Sequence, residues 1–250
     1  MQRAEASSAL KLHSPGECGT LCHRWIQDTH VERDAVSETG ARAAGRGILL
    51  VVAGPSGVGK GTLIRGLRER HGGIEWSVSC TTRAPRRGEV DGRDYHFVDR
   101  DEFLRMARED GLLEWAVVHA RDFYGTPRAP VEEALAAGRD MVIEIDYQGA
   151  RSMRAALPEA VMVFVAPPSI EALRERLTGR NTEDEDALLR RLRSAQTEFE
   201  HIGMFQHLIV NDDLDEATGA LEAIYLAERQ RITRAHWREL RDELLEDLEA

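Results

Sequence analysis

A glycine-rich stretch lies between an apolar run and a segment with helical character. The apolar run covers residues 48–53, and the helical pattern begins at Leu63. Between them the chain reads Gly54-Pro55-Ser56-Gly57-Val58-Gly59-Lys60-Gly61-Thr62. A strand, a glycine-rich turn and a helix in this order are typical of a phosphate-binding loop.

The chemistry of this loop follows from its backbone and from one lysine. Glycines let successive N–H groups turn inward around an anion, and the helix N-terminus adds partial positive charge. Lys60 adds a full charge, and Lys11 is the only other lysine in an arginine-rich chain. A compact ammonium fits a narrow loop where a planar guanidinium would not. The stretch therefore predicts binding of a nucleoside triphosphate.

The composition restricts the partners and the compartment. The chain has 250 residues and a formal net charge of −11, which argues against nucleic-acid binding through a broad basic surface. No apolar run reaches the length of a membrane span, so no membrane partner is expected. Three cysteines do not make a disulfide framework, which favours a reducing cytoplasm. The sequence leaves the oligomeric state open.

Apolar strands alternate with helices along much of the chain. Strand patterns recur at residues 140–146, 161–165 and 207–210, with helical periodicity between them. This alternation predicts an α/β fold in which a parallel sheet is covered by helices on both faces. Residues 77–126 read instead as a mostly β insertion with a hairpin turn at 91–93, in which Trp115 is expected to be a core residue.

The N-terminal segment differs from this body. Residues 1–46 lack sustained periodicity and are expected to form a poorly ordered extension. A cluster of possible zinc ligands lies there, formed by His13, Cys18, Cys22 and His23. No second ligand pair with zinc-finger spacing follows, so a solvated tail is favoured over a metal site.

The β insertion carries a second set of anion-binding side chains. Guanidinium groups form bidentate pairs with phosphate oxygens, so Arg83 and Arg86 with Tyr95 are candidates for a second phosphate site. Two phosphate sites indicate transfer between two phosphorylated molecules. Because a substrate phosphate is already anionic near neutral pH, such a transfer requires alignment and charge neutralisation rather than a general base.

Glu114 is the candidate for reading a base. A carboxylate accepts two hydrogen bonds side by side, and guanine offers adjacent donors at N1 and N2, whereas adenine has an acceptor at N1. Ser79 and Thr126 are candidates for the contact at O6. Losing a buried polar match of this kind costs a large factor in selectivity. The residues alone leave open that Glu114 is an exposed strand carboxylate.

The chain resembles guanylate kinases from about residue 47 to residue 229. The segments that carry the resemblance are GPSGVGKGT (54–62), SVSCTTR (77–83), PRRGE (85–89), DYHFV (94–98), LEWA (113–116), YGT (124–126), EIDYQG (144–149), Gly179-Arg180 and VNDD (210–213). The resemblance implies Mg²⁺- and ATP-dependent phosphorylation of GMP or dGMP to the diphosphate. It also implies a P-loop nucleoside monophosphate kinase fold, with a parallel five-stranded sheet flanked by helices, a β-rich GMP-binding insertion and a helical lid.

The resemblance also implies a division of the chain. The implied segments are the extension 1–46, the P-loop part of the core 47–76, the GMP-binding insertion 77–128, a further part of the core 129–168, the lid 169–200, and the last part of the core with the C-terminal helices 201–250.

Site residues are implied position by position. The implied guanine contacts are Ser79, Glu114, Thr126 and Asp146, and the implied GMP phosphate-site group is Arg83, Arg86, Glu89, Tyr95 and Tyr124. The implied ATP-binding residues are the loop Gly54–Thr62, Arg176 and Asn211. Catalytic roles are implied for Lys60, Arg83, Arg180 and Arg191. Magnesium is implied at Thr62 and Glu144, partly through water.

The sequence departs from the family pattern in several places. Gly61 stands where the common loop has serine or threonine, and Glu144 stands where aspartate is usual. The extension has no family counterpart, and one residue is inserted between Glu114 and Tyr124. Two other functions were weighed, a catalytically inactive guanylate-kinase-like binding module and a kinase for another phosphorylated small molecule. The intact loop lysine and arginines argue against the first, and Glu114 with Ser79 argues against the second.

Overall fold

The computed structural model describes residues 46–118, 121–178, 185–231 and 237–249. The strands and helices in these ranges are, in chain order, β1 (Leu49–Ala53), α1 (Lys60–Arg70), β2 (Ile74–Trp76), β3 (Cys80–Thr81), β4 (His96–Phe97), α2 (Arg100–Arg108), β5 (Leu112–Val118), β6 (Asp122–Pro127), α3 (Arg128–Ala136), β7 (Asp140–Glu144), α4 (Tyr147–Ala156), β8 (Val161–Ala166), α5 (Ile170–Thr178), α6 (Glu185–Glu200), β9 (His207–Val210), α7 (Leu214–Arg229) and α8 (Trp237–Glu249).

The larger sheet has five parallel strands in the order β2-β7-β1-β8-β9. Its central strand β1 is buried along its whole length, because helices cover both faces. Leu50 and Val52 pack in a cluster with residues of α1 and α7. Leu49 and Val51 face the other way and pack with residues of α3 and α4. The predicted parallel five-stranded sheet flanked by helices is confirmed.

The smaller sheet has four strands in the order β4-β3-β6-β5. Strands β5 and β6 are antiparallel neighbours, and β3 joins β6 in antiparallel and β4 in parallel orientation. The predicted hairpin turn at 91–93 is therefore wrong, because β4 runs in the same direction as β3. The connection is held instead by aspartate side chains, since Asp91 accepts from the Phe97 N–H at 2.8 Å and Asp94 from the Val90 N–H at 2.8 Å.

A small apolar core lies between α2 and the smaller sheet. Phe103 of α2 is fully buried there with Cys80, Leu112 and Phe123. Trp115 was expected in the core but is 45% exposed. Along β5 the side chains alternate between faces, and Glu114 and Ala116 are buried while Trp115 and Val117 are exposed. Trp115 covers the edge of the cluster, with its ring centroid 6.4 Å from that of Phe103.

Some predictions fall on parts of the chain that the structure does not describe. These are the form of the N-terminal extension up to residue 45 with its candidate zinc ligands, and the lid arginine Arg180. Among the helices that are described, none combines the length and the apolar character that crossing a membrane requires.

Candidate active site

The glycine-rich loop follows the carboxyl end of β1 and depends on glycine at defined positions. Gly54, Gly57 and Gly59 have φ values of 141°, 83° and 101°, which residues with a side chain rarely adopt. A Cβ atom at Gly54 would also lie 2.2 Å from the carbonyl oxygen of Val165. These glycines let the chain turn sharply at the sheet edge and lead directly into α1.

The beginning of α1 is arranged to bind an anion. Gly59 is the N-cap residue and supplies no side-chain acceptor to the first amides of the helix, and the first turn contains no acidic residue. The Lys60 ammonium lies across the loop, donating to the carbonyl oxygens of Gly54 at 2.7 Å and Pro55 at 3.2 Å. Uncapped amides, the helix dipole and a lysine together form a phosphate site.

A cleft of about 200 Å³ opens beside this loop. It is lined by Gly57, Val58, Gly59, Thr62, Arg176, Asn211, Asp212 and Leu214. Asn211 holds the loop in place, because its side-chain amide donates to the Val58 carbonyl at 2.7 Å. Arg176 approaches the same carbonyl oxygen at 3.5 Å. The predicted ATP-side residues Arg176 and Asn211 therefore meet at one carbonyl of the phosphate loop.

The predicted second phosphate site is organised around Arg83. Its guanidinium forms a bidentate pair with Glu89, with both N–H···O distances 2.7 Å, and its Nε donates to the Tyr124 hydroxyl at 3.0 Å. The Arg83 guanidinium also lies 5.1 Å from the ring centroid of Tyr95. Glu89 accepts a further bond from the Arg86 backbone N–H at 2.7 Å. The predicted members of this group are thus brought together.

The charges in this group stabilise one another. The hydrogen bonds from Arg83 hold the pKa of Glu89 down at about 2, and Glu89 in turn raises the pKa of Arg83. Arg83 therefore remains charged and committed to Glu89, whereas the Arg86 side chain is exposed. Burial raises the pKa of Tyr95, and the charges of Tyr124 and Glu144 contribute. Tyr95 directly precedes β4, and the Glu144 carboxylate at the end of β7 contributes to this shift of its pKa.

The predicted base-reading residues lie between the smaller sheet and α4. Glu114 is 5% exposed and accepts a 2.6 Å hydrogen bond from the Thr126 hydroxyl, directly across the β5–β6 pair. Asp146 caps α4 by accepting from the Gly149 N–H at 2.8 Å. A Cβ atom at Gly149 would lie 2.6 Å from Glu114 Oε2, so the absence of a side chain there admits the carboxylate.

Burial dominates the ionisation of Glu114. It raises the pKa of this carboxyl to about 7, although the Thr126 hydrogen bond lowers it, and the Asp146 charge raises it further. The buried carboxylate of Glu114 can accept hydrogen bonds from a ligand, and without such donors burial makes its ionised form unfavourable in free energy. The predicted alternative of an exposed strand carboxylate is excluded by this burial. For Ser79 the described contact is through the backbone, whose carbonyl accepts from the His96 N–H at 2.9 Å.

Two oxygen-bearing residues at the loop fit a magnesium ion. Glu144 Oε1 lies 3.8 Å from Lys60 Nζ, and the Glu144 side chain is 34% exposed toward the loop. Thr62 follows in the first turn of α1, and its hydroxyl accepts from Arg65 at 3.1 Å. Within the described ranges no group of three histidine, cysteine or acidic residues is clustered tightly enough to hold a metal. Mg²⁺ keeps several waters and binds through one or two carboxylates together with substrate phosphates, so the Glu144 carboxylate and the Thr62 hydroxyl are compatible with it as ligands.

Glu198 is a site residue that the sequence analysis missed. It is 5% exposed on α6, and no partner for its Oε2 atom is found among the described residues. Burial raises its pKa to about 7, while the Lys60 charge lowers it and the Asp146 charge raises it. The helical pattern contained a signal, because Glu198 follows Ala195 by three positions and shares the packed face of α6.

Arg191 of α6 is half-buried and has interaction partners in the structure. The other predicted lid arginine, Arg180, falls between the described ranges. The predicted lid arginine for which a contact with the loop is described is Arg176, through its approach to Val58.

Comparison with known proteins identifies the family. The family model described as guanylate kinase matches residues 46–228. A guanylate kinase of Carboxydothermus hydrogenoformans is 45% identical over 195 residues, which cover 78% of this chain and 95% of that protein. One of Dechloromonas aromatica is 50% identical over 181 residues, which cover 72% and 89%.

A solved structure agrees with these relatives. The crystal structure of guanylate kinase from Anaplasma phagocytophilum has a TM-score of 0.66 and 36% sequence identity. The match covers 79% of this chain and 94% of the other. Since the family model spans well over half of the chain, and relatives matched over 89% and 95% of their own length are 50% and 45% identical to it in the aligned part, this protein belongs to the guanylate kinase family.

Proposed function

We propose that the protein transfers the γ-phosphoryl group of ATP to GMP or dGMP, giving ADP and the corresponding diphosphate. The observation that carries this proposal is the buried Glu114–Thr126 pair, which occurs in one chain with two anion-binding groups. One group is the phosphate loop with Lys60, and the other is the arginine and tyrosine group around Arg83. Family membership supports the same reaction.

The loop side is assigned to ATP. Backbone N–H groups of Gly57–Thr62 and the Lys60 ammonium bind its phosphates, and the remaining nucleotide extends toward the cleft formed by Arg176 and Asn211. In the structure Lys60 is bonded to two loop carbonyls, so its ammonium already lies within the loop. This preorganisation limits the cost of ordering the lysine when a triphosphate binds.

The smaller sheet is assigned to GMP. Arg86 and Tyr95 bind the phosphate directly, and Glu89 holds Arg83 and the Arg86 backbone in position for it. Glu114 accepts the guanine N1 and N2 donors. Adenine presents an acceptor at N1, which would face a buried carboxylate and leave both groups without a donor.

Catalysis then consists of alignment and charge neutralisation. A GMP phosphate oxygen is anionic at neutral pH and attacks in line without a general base, while charge on the transferred group meets Lys60, the α1 N-terminus and arginines. Arg176 and Arg191, together with Arg180, are assigned to this neutralisation from the lid side. Closure of the lid over the substrates would exclude water and limit hydrolysis of ATP.

Magnesium is the cofactor implied by this reaction. Thr62 and Glu144 are the residues assigned to it, with Glu144 acting partly through water. Bound there, the ion would supply positive charge that neutralises the phosphate oxygens. The Glu144 carboxylate stands beside Lys60, so this part of the loop combines a cation with an oxygen ligand.

Cysteine usage supports a cytoplasmic location. Cys80, the cysteine among the described residues, is fully buried, and burial raises its pKa to about 12. A thiol of this kind is chemically inert and packs as a small apolar side chain.

A substrate panel tests the proposed reaction. We expect turnover with ATP and either GMP or dGMP, and turnover with AMP lower by at least about a hundredfold, because adenine has an acceptor at N1 where Glu114 requires a donor. A coupled assay for ADP formation with each monophosphate measures this. Equal rates with AMP would refute the guanine assignment, and absence of turnover with every monophosphate would support an inactive binding module.

A further inference from the structure

The beginning of α1 and the end of β7 meet at a position without a side chain. A Cβ atom at Gly61 would lie 3.2 Å from Glu144 Oε2, closer than Cβ atoms normally pack. The same atom would lie 3.6 Å from Trp76 Cη2 and 3.7 Å from Arg65 Nη1. A side chain at residue 61 would therefore require the Glu144 carboxylate to shift by a few tenths of an ångström, whereas the distances to Trp76 and Arg65 are those of ordinary van der Waals contact.

The other oxygen of that carboxylate faces the loop lysine. Glu144 Oε1 lies 3.8 Å from Lys60 Nζ, so one carboxylate bridges the distance between residue 61 and the ammonium. Its backbone is fixed, because Glu144 pairs with Val52 in the centre of the larger sheet. An aspartate in this position is one methylene shorter and would withdraw from both residue 61 and Lys60.

A side chain at residue 61 would displace the carboxylate first. On its other sides the space is limited by the Trp76 ring and the Arg65 guanidinium. Trp76 packs against the larger apolar cluster of the core, whereas the end of Glu144 is partly exposed and its contact with Lys60 is 3.8 Å long. Any atom added at residue 61 therefore moves the Glu144 carboxylate, and with it the negative charge beside Lys60.

We propose that Gly61 and Glu144 are a matched pair, in which the missing side chain at 61 makes room for the longer carboxylate and sets its position beside Lys60. Gly61 is thus a positioning residue that acts through Glu144 on the phosphate and magnesium side of the loop. The inference rests on the proposed function. These are also the two positions at which the sequence departs from the loop and strand patterns noted above.

The pair is tested by exchanging both residues. Four proteins are compared, the unaltered chain, Gly61→Ser, Glu144→Asp and the double variant. We expect each single change to lower kcat/KM for ATP by about tenfold, since the first displaces the carboxylate and the second withdraws it. The double variant should return to within about threefold of the unaltered chain, because the serine fills the space that the shorter aspartate vacates. KM for GMP should remain unchanged throughout.

A binding measurement provides a readout besides turnover. Calorimetric titration with ATP, with and without MgCl₂, gives the factor by which the ion strengthens nucleotide binding. That factor should fall in each single variant and recover in the double variant. Thermal unfolding of all four proteins separates this effect from a loss of folding, which would weaken binding equally with and without the ion.

Two residues of α7, which is distant from the loop in sequence, provide control substitutions matched to Gly61→Ser and Glu144→Asp. Gly219→Ser and Glu216→Asp make the same chemical changes, and a Cβ atom at Gly219 meets only the end of Arg70 at 3.8 Å. These variants should leave kcat/KM for ATP within about twofold and combine additively. The inference is overturned if the single loop variants behave like the unaltered chain, or if the loop double variant shows the product of the two losses. If the unaltered chain does not turn over GMP, the proposed function fails, while the titrations still test the pair.

Discussion

Among single residues, Glu114 shows most directly how surroundings determine chemistry. Its own side chain is an ordinary carboxyl, but burial, Thr126 and the neighbouring Asp146 decide when it is ionised. Because its pKa is raised to about 7, the neutral form prevails below that pH and the ionised form above it. Only the ionised form accepts two donors side by side, so binding of guanine is coupled to pH at this residue.

The affinity for GMP should therefore fall as pH decreases below about 7. We expect kcat/KM for GMP to fall by up to about tenfold per pH unit there, because the carboxyl becomes a donor where an acceptor is needed. Steady-state kinetics between pH 5.5 and 8.5 measure this, with KM for ATP as the internal comparison.

A variant of Glu114 distinguishes the contribution of this residue to the pH profile from the contribution of the substrate phosphate. The phosphate of the substrate also titrates, near pH of about 6. Glu114→Gln binds GMP less tightly and has no titrating group at this position, so its profile should retain only the substrate contribution. Identical profiles for the two proteins would contradict the assignment.

Sequence reasoning reached some residues of the site and not others. Arg83 and Glu114 were predictable because their chemistry matches a phosphate and a purine, whereas Glu89 followed only from the resemblance. The burial of Glu114 and the exposure of Trp115 were not, because they depend on which face of β5 meets α2 and α4. Glu198 was missed because an acidic residue in a charged helix is usually solvated, and only packing of α6 buries it.

Among elements, long periodic segments were predictable and short strands were not. Helix α5 follows Ser169, whose hydroxyl accepts from the Ala172 N–H at 3.1 Å and so caps the helix. Strands β3 and β4 have two residues each, too few to show alternation. Their parallel pairing is set by the side chains of the intervening loop, which is why the predicted hairpin turn was wrong.

The smaller sheet depends on one aromatic side chain from α2. Phe103 is fully buried, and its ring centroid lies 5.3 Å from that of Phe123. We expect Phe103→Ala to lower the free energy of unfolding by about 3–5 kcal/mol. Because Glu114, Tyr124 and Thr126 lie on this sheet, KM for GMP should rise more than KM for ATP. Denaturant unfolding and steady-state kinetics measure the two effects.

A buried phenylalanine of the larger sheet provides the matched control. Phe164 of β8 is equally buried and contacts Phe199 and Phe205. Phe164→Ala should destabilise the protein similarly without raising KM for GMP selectively. If KM for GMP and KM for ATP changed equally in the Phe103 variant, the loss of packing would not be confined to the smaller sheet, and the prediction would be wrong.

At the scale of the whole molecule, the family match covers residues 46–228 and leaves the N-terminal segment outside. Arg46, where the match begins, forms an exposed ion pair with Glu159 at 2.6 Å, and Gly47 donates its N–H to the Leu135 carbonyl at 2.8 Å. The first residues of the matched region are thus attached to the core by their own contacts.

Removing residues 1–45 should leave the reaction intact. We expect kcat and both KM values within about twofold of the full chain, since every assigned site residue follows position 53. Kinetics and thermal unfolding of the shortened chain measure this. A large loss of turnover with unchanged unfolding would assign the segment a part in the site.

The order of strands in the larger sheet has a consequence for synthesis on the ribosome. Leu49 of β1 pairs with Met141 of β7, and Leu50 with Val161 of β8. The chain between these partners is roughly 90 to 110 residues, which takes about 5–20 s to translate at common rates. Strand β1, in which every residue is apolar, therefore emerges well before either neighbouring strand exists, and the nucleotide-binding loop at its end acquires its rigid support only after β8 has left the ribosome.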